Sequence, residues 1–245
     1  DWRSFSSLLL HSQDNSPGID GFPFSAHQSK SDISAVLMDR MFAQLRMFDP
    51  ERPIQLLNFN HLVQACIPKK LVLPYEQGVA CRAEETRSLS CKCTDNKIIL
   101  KATAGCLNSV IAAEACDLQQ GFIPGRHFTN NIVVIDTVSR IYSTLHSRYG
   151  DAVAAFFDFG TAFPSVTIQW IFLVLHWLKI PQGIISLVEA AYHHVYMYIK
   201  HVGMAEFMCL VKSGVLQGCP LAALLFVVAM EPCLIMFKLA VEDAG

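Results

Sequence analysis

Apolar residues in this chain recur with two periods, and the switches between them predict helices alternating with short strands. From Asp32 to Phe48 they fall at helical spacing, with Ser31 placed as the cap. Leu62 to Ile67 reads as a strand, and Pro68 and Pro74 mark the loop that follows. Thr94 predicts the N-cap of a helix running through Ile111, and Thr129 opens another whose Ile132, Ile135, Val138 and Ile141 share one face. Val153 to Phe157 is an aromatic-rich apolar run of strand length, which predicts a buried strand. Helices are expected over 168–178, ended by Pro181, and over 182–194. Strands are expected over 195–200 and 207–211 around a turn at Gly203, and a buried helix from Leu221 to Met230 between Pro220 and Glu231. Strand, helices, two strands and a helix in that order predict an α+β domain with an antiparallel sheet.

Composition agrees with a packed domain. Of 245 residues, 52% are apolar and 16% charged, enough to bury a large core in one domain or two closely packed lobes. A mean hydropathy of +0.35 raises the question of a membrane span. The longest uninterrupted apolar run, Leu221 to Met230, is about half of what a span requires, so no membrane partner is expected. The net charge of −2 lacks the overall basic character of many nucleic-acid binders, yet between Thr86 and Lys101 the cations Arg87, Lys92, Lys97 and Lys101 stand against Asp95 alone. Nine cysteines, an odd number without CxxC spacing, point to reduced thiols in an intracellular protein of cytoplasm or nucleus. The Cys91-x-Cys93 pair has no second pair at finger spacing, so a zinc site is not expected there. The opening DWRSFSSLLLHSQ has too short an apolar core for a signal peptide, and the absence of an initial Met suggests a segment of a longer chain.

Candidate chemistry centres on AAFFDFGTAFPSV, residues 154–166. A carboxylate at the edge of a buried strand must be paired or metal-bound to offset its desolvation, which makes Asp158 a candidate metal ligand. An aspartate before Gly160 and Thr161 also fits a turn or a helix cap. On residue type alone Phe163 reads as a core aromatic, and the lone Gln217 in SGVLQGCPL (213–221) as a satisfied polar core residue.

Five blocks in one order change those readings. SPGIDGFPFSAH (16–27), CIPKK (66–70), TRSLSCKCTDNKIILK (86–101), QQGFIPGRHFTNNI (119–132) and the pair just quoted resemble the reverse transcriptase domains of non-LTR, LINE-type retrotransposons. The third block is similar to R-P-I-S-L followed by a helix, the fourth to Q-x-G-F-x-x-G-R, and the last pair to D-F-x-x-A-F and G-x-x-Q-G-C-P-L. The resemblance implies a right-hand polymerase. Residues 1–150 would form the N-terminal segment and fingers, and 151–245 part of a palm built on an antiparallel sheet. It implies RNA-directed DNA polymerisation by two-magnesium phosphoryl transfer, with an RNA template, a DNA primer and deoxynucleoside triphosphates as partners. Asp158 and the Phe159 carbonyl would hold Mg2+, and Phe163 would sit under the incoming sugar where a 2′-hydroxyl clashes. Arg87, Gln217 and Gly218 would contact the nucleotide, a guanidinium suiting forked bonds to phosphate. Lys97, Lys101, Gly121, Gly125 and Arg126 would support the template, although an exposed helix face explains the two lysines equally well.

The chain departs from that family at three points. Ser88 replaces the proline after the fingers arginine, and Pro164 stands where many relatives carry a second aspartate outside the metal site. The aromatic-x-Asp-Asp turn expected beyond QGCPL is not found before Gly245, and Glu242 with Asp243 comes too early for it. The expectation is therefore a fingers and upper-palm portion of a longer polyprotein, truncated before the Asp-Asp hairpin and thumb and inactive alone. The alternative is a nucleic-acid-binding or interaction module that keeps the fold without the chemistry.

Overall fold

The computed structural model describes residues 1–13, 15–53, 58–69, 82–144, 153–201 and 203–244. Lys70 and Pro74, named above, lie outside them. The helices are α1 (Trp2–Leu10), α2 (Phe24–Ser29), α3 (Ser31–Leu45), α4 (Thr94–Glu114), α5 (Thr129–Thr144), α6 (Ala162–Ser165), α7 (Ile168–Trp177), α8 (Gln182–Tyr192) and α9 (Ala222–Ala244). The strands are β1 (His61–Pro68), β2 (Thr86–Lys92), β3 (Val195–His201) and β4 (Met204–Val211).

The α+β expectation holds, and the sheet corrects one part of it. The strand order is β2-β1-β3-β4, with antiparallel pairs at both sides and a parallel pair, β1 with β3, in the centre. A parallel pair needs a long crossover, and α4 to α8 lie between these two strands. The sheet therefore takes two strands from before residue 150 and two from after it.

Helix α4 organises the core because it is apolar on more than one side. Ile98 and Ile99 join Phe5, Leu9, Phe24 and Met38, so α1, α2 and α3 close over one flank. Leu100, Leu107 and Ile111 join Leu62, Leu175, Val188 and Leu225, packing the other flank against β1, α7, α8 and α9. Each fully buried leucine or isoleucine contributes about 1.5–3 kcal/mol relative to exposure. The polar link between flanks is Asn60, whose amide donates to the Ala190 and His193 carbonyls at 2.6 Å while its Oδ1 accepts from Asn96.

Several local expectations are corrected. Ser31 is the first helical residue, and Lys30 at the cap position offers no side-chain bond. Cys93 caps α4, while Thr94 turns its hydroxyl to the Phe22 carbonyl. The cause is the SPGIDG turn, pressed so closely on α4 that a Cβ on Gly18 would lie 2.5 Å from the Cys93 nitrogen. Glu231 does not end the last helix, because its carboxylate turns aside to accept from the Cys116 amide and α9 continues through Pro232. That makes α9 long and apolar enough to cross a membrane by length and composition, while Leu224, Leu225, Val227 and Val228 in its first half sit in the core.

The largest correction concerns residues 153–160. They form no strand and are exposed, with Val153 at 89% and Phe157 at 88%. The apolar face of α5 is likewise exposed, Ile132 at 57% and Ile135 at 45%. Apolar content identified both segments, but among the described residues neither finds a surface to bury it against.

Candidate active site

Two turns position the predicted site residues, and main-chain bonds stitch them together. The first follows Asp158. Thr161 adopts a left-handed φ of 56°, its carbonyl accepts from the Ser165 amide and hydroxyl, and the short α6 results. This sets the Phe163 ring 5.0 Å from that of Phe226 on α9. The second turn, 214–218, lies directly against the first. Val215 N donates to the Phe163 carbonyl at 2.8 Å and Gly214 N to the Val166 carbonyl at 3.0 Å. At Gly214 φ is +92°, and a Cβ would stand 3.0 Å from the Pro164 Cα, so both backbone conformation and space require glycine.

The far side of the second turn is tied to β2. Ser90 N donates to the Gln217 carbonyl at 2.7 Å. Gly218, at φ +95°, approaches so closely that a Cβ would lie 2.8 Å from Leu89 Cδ1. The strand bearing Arg87, the turn bearing Gln217 and Gly218, and the turn bearing Phe163 are thus consecutive in space. Arg87 is exposed on β2. Asp158 and Phe159 lie in the exposed irregular segment, and among the described residues Asp158 makes no hydrogen bond or ion pair. That is a correction to the reading of Asp158 as the edge of a buried strand. A carboxylate left in water carries little desolvation cost, so its place does not itself demand a metal.

The template-side residues separate. Lys97 and Lys101 line a cavity of about 290 Å³ with Ser12, Ser90, Cys91 and Gly218. Lys97 Nζ donates to the Ser16 carbonyl and Lys101 Nζ to Ser12 Oγ at 3.2 Å. Each ammonium keeps donors to spare. Burial pushes the Lys97 pKa down, opposed by Cys91, Cys93 and Asp20. Gly121 and Gly125 lie in the loop after α4, and Arg126 closes that loop by donating to the Ala115, Cys116 and Gln119 carbonyls, the last at 2.8 Å. Its guanidinium satisfies carbonyls left open at the end of α4. Glu231 backs the same loop, its pKa raised by burial and eased by the Cys116 amide and Arg126.

Two groups were not foreseen. Lys92, 1% exposed, donates to the Ala191 carbonyl at 2.9 Å and lies 5.5 Å from the centre of the Tyr192 ring, with burial lowering its pKa. Its place in an alternating strand was the only signal. Asp20, Cys93 and Asp95 bring three ligand atoms within 4.8 Å of one another. Burial pushes the Cys93 thiol up to about 12 and Asp95 up to about 6. No spacing rule connects residues seventy positions apart, so the sequence showed the two blocks without their meeting. A protonated thiol among carboxylates is a poor set for Mg2+, a hard ion that takes oxygen. The Asp158 carboxylate, without a partner among the described residues, and the adjacent Phe159 carbonyl are oxygen donors of the kind such an ion takes.

Comparison with known proteins adds two findings. The family described as reverse transcriptase (RNA-dependent DNA polymerase) matches residues 67–242. The chain is also 26% identical over 235 residues, 95% of its length, to the transposon TX1 uncharacterized 149 kDa protein of Xenopus laevis, of which it spans 17%.

Proposed function

Since the chain belongs to the reverse transcriptase family, we propose that it is the fingers and upper-palm part of an RNA-directed DNA polymerase from a LINE-type element, within a longer polyprotein. The observation that supports this reading is the stitching of the Phe163 turn to 214–218 and of 214–218 to β2, because it joins segments of three blocks that lie far apart in sequence. The 17% span of the transposon relative supports further domains in the parent protein.

In this reading Asp158 and the Phe159 carbonyl would hold a magnesium ion, which would supply one of the two positive charges that two-metal phosphoryl transfer uses. Arg87 reaches the triphosphate with forked donors. Gln217 and Gly218 border the base and the template, where a glycine lets the backbone come close. Lys97 and Lys101 neutralise template phosphates from their cavity, and Gly121, Gly125 and Arg126 fix the loop that follows α4. The Phe163 ring, braced by Phe226, bars the 2′-hydroxyl of a ribonucleotide.

The test is primer extension on an RNA template by a protein that contains this domain in its parent chain. Phe163→Ala should admit ribonucleotides, costing about 2–4 kcal/mol of discrimination as the steric mismatch is relieved. Unchanged discrimination, or no RNA-templated extension by the unaltered protein, would refute the assignment.

A further inference from the structure

One face of the sheet carries four aromatic rings that the proposed chemistry does not use. In the parallel register His61 pairs with Tyr196 and Val63 with Tyr198, and in the antiparallel register Tyr198 pairs with Phe207. Paired residues point to the same side, and residues two apart on a strand do too. His61, Tyr196, Tyr198 and Phe207 therefore share one face. The ring contacts agree: His61 lies 5.0 Å from Tyr196 and 5.3 Å from Tyr198, and Phe207 lies 6.3 Å and 5.8 Å from the same two. The rings form a row across β1, β3 and β4. Phe207 is 58% exposed and Tyr196 36%, whereas the opposite face bears the core residue Leu62 and Met197, which packs against the core.

Among the described strand residues, the charges on this face are of one sign. Lys200 follows Tyr198 by two positions on β3, and Arg87 lies on β2 opposite Ile67 of β1. Glu206 pairs with Ile199 and so points to the other side. Leu89 and Cys91, on the ring side of β2, also line the cavity of Lys97 and Lys101. Moving across the sheet, a ligand would meet cations first and then aromatic rings. Burial lowers the His61 pKa, which keeps that ring neutral near pH 7.

We propose that the row His61, Tyr196, Tyr198 and Phe207 stacks the unpaired bases of a single-stranded RNA whose phosphates are held by Lys97, Lys101 and Lys200. Every base has a π-face, so exposed rings on a sheet bind single strands with little regard to sequence, while flanking cations follow the backbone. A protein that copies RNA must take up template that is not yet paired, which is the occupant this face fits. The proposal rests on the reading of the chain as an RNA-templated polymerase domain.

The experiment measures binding of the chain to a fluorescent single-stranded RNA, to a strand of the same length lacking bases, and to duplex RNA, as a function of salt. Tyr198→Ala and Phe207→Ala should each weaken binding to the single strand roughly five- to a hundredfold. They should leave the base-free strand, the duplex and the salt slope unchanged, while Lys200→Ala should reduce that slope by about one. Tyr198→Trp retains a ring should the alanine variants unfold; it should bind at least as tightly, with its emission quenched by added RNA. Equal binding by ring variants and unaltered chain overturns the platform and leaves the polymerase reading standing. Equal weakening on all three ligands overturns it as well, as does a change of oligomeric state on ring removal, which would mark the face as a protein interface. Loss of extension activity in the unaltered parent protein, with selective weakening by the ring variants intact, would refute the polymerase reading alone.

Discussion

Helices α4 and α5 look alike in sequence and differ in what surrounds them. Each opens at a threonine and carries isoleucines at helical spacing, but α4 is enclosed on two flanks, whereas no residue of α5 is buried. The same division runs through the site. The backbone of Gln217 and Gly218 is tied to the strand bearing Arg87 and to the Phe163 turn, while Asp158 follows Phe156 and Phe157, 78% and 88% exposed. The 214–218 turn and β2 are therefore held by main-chain bonds and packing in this chain, and the segment of the proposed catalytic carboxylate is not. An apolar period shows that a segment wants a partner; it does not show that a partner is present.

Truncation should break the comparison most sharply. Leu107→Ala, in the enclosed flank of α4, is expected to cost about 3 kcal/mol, whereas Ile135→Ala on α5 should cost under about 1 kcal/mol. Denaturant midpoints of the purified variants check this, and comparable losses at both positions would mean that α5 is packed in solution. Glycine replacements come next. Gly218→Ala should lose about 2 kcal/mol through its positive φ and the approach of Leu89, while Gly160→Ala, with nothing within 4 Å, should be near neutral.

The pH response sharpens the comparison from the enclosed side. Burial raises the Asp95 pKa to about 6, so the fold favours its protonated form. Stability from this group is complete below its unfolded value near about 4 and is lost as pH rises toward 6, a change of about 3 kcal/mol. Measured against Asp95→Asn, the unaltered chain should lose stability over that window; parallel curves would remove Asp95 from the account. The smallest effect is in exchange rates. Amides of 154–160 should exchange freely and those of Leu100 to Ile111 slowly.

How much of this could be read from the sequence follows the same line. Strands β1, β3 and β4 and helices α3, α4, α7 and α8 lie where apolar periods and turn residues put them, because their partners are within the chain. The family was legible from the blocks at 86–101, 119–132, 154–166 and 213–221, and residues 67–242 match it. The parallel pairing of β1 with β3 was not legible, since local pattern does not encode which strand a strand meets. Nor was the meeting of Asp20 with Cys93 and Asp95, which depends on Gly18 packing against α4. The aromatic row was hidden for a similar reason: its members come from three strands and align only through register.

The proposal turns on Asp158, exposed as it is, being the catalytic carboxylate, with the half-buried Asp95 serving the fold instead. The direct measurement is magnesium-dependent primer extension on an RNA template by the parent protein carrying Asp158→Ala or Asp95→Asn, each checked for folding. Asp158→Ala should reduce the rate by roughly a thousandfold or more, because a term worth several kcal/mol is lost from the metal site, and Asp95→Asn should leave it within about threefold. Normal extension by Asp158→Ala, or its abolition by a folded Asp95→Asn, would contradict the account.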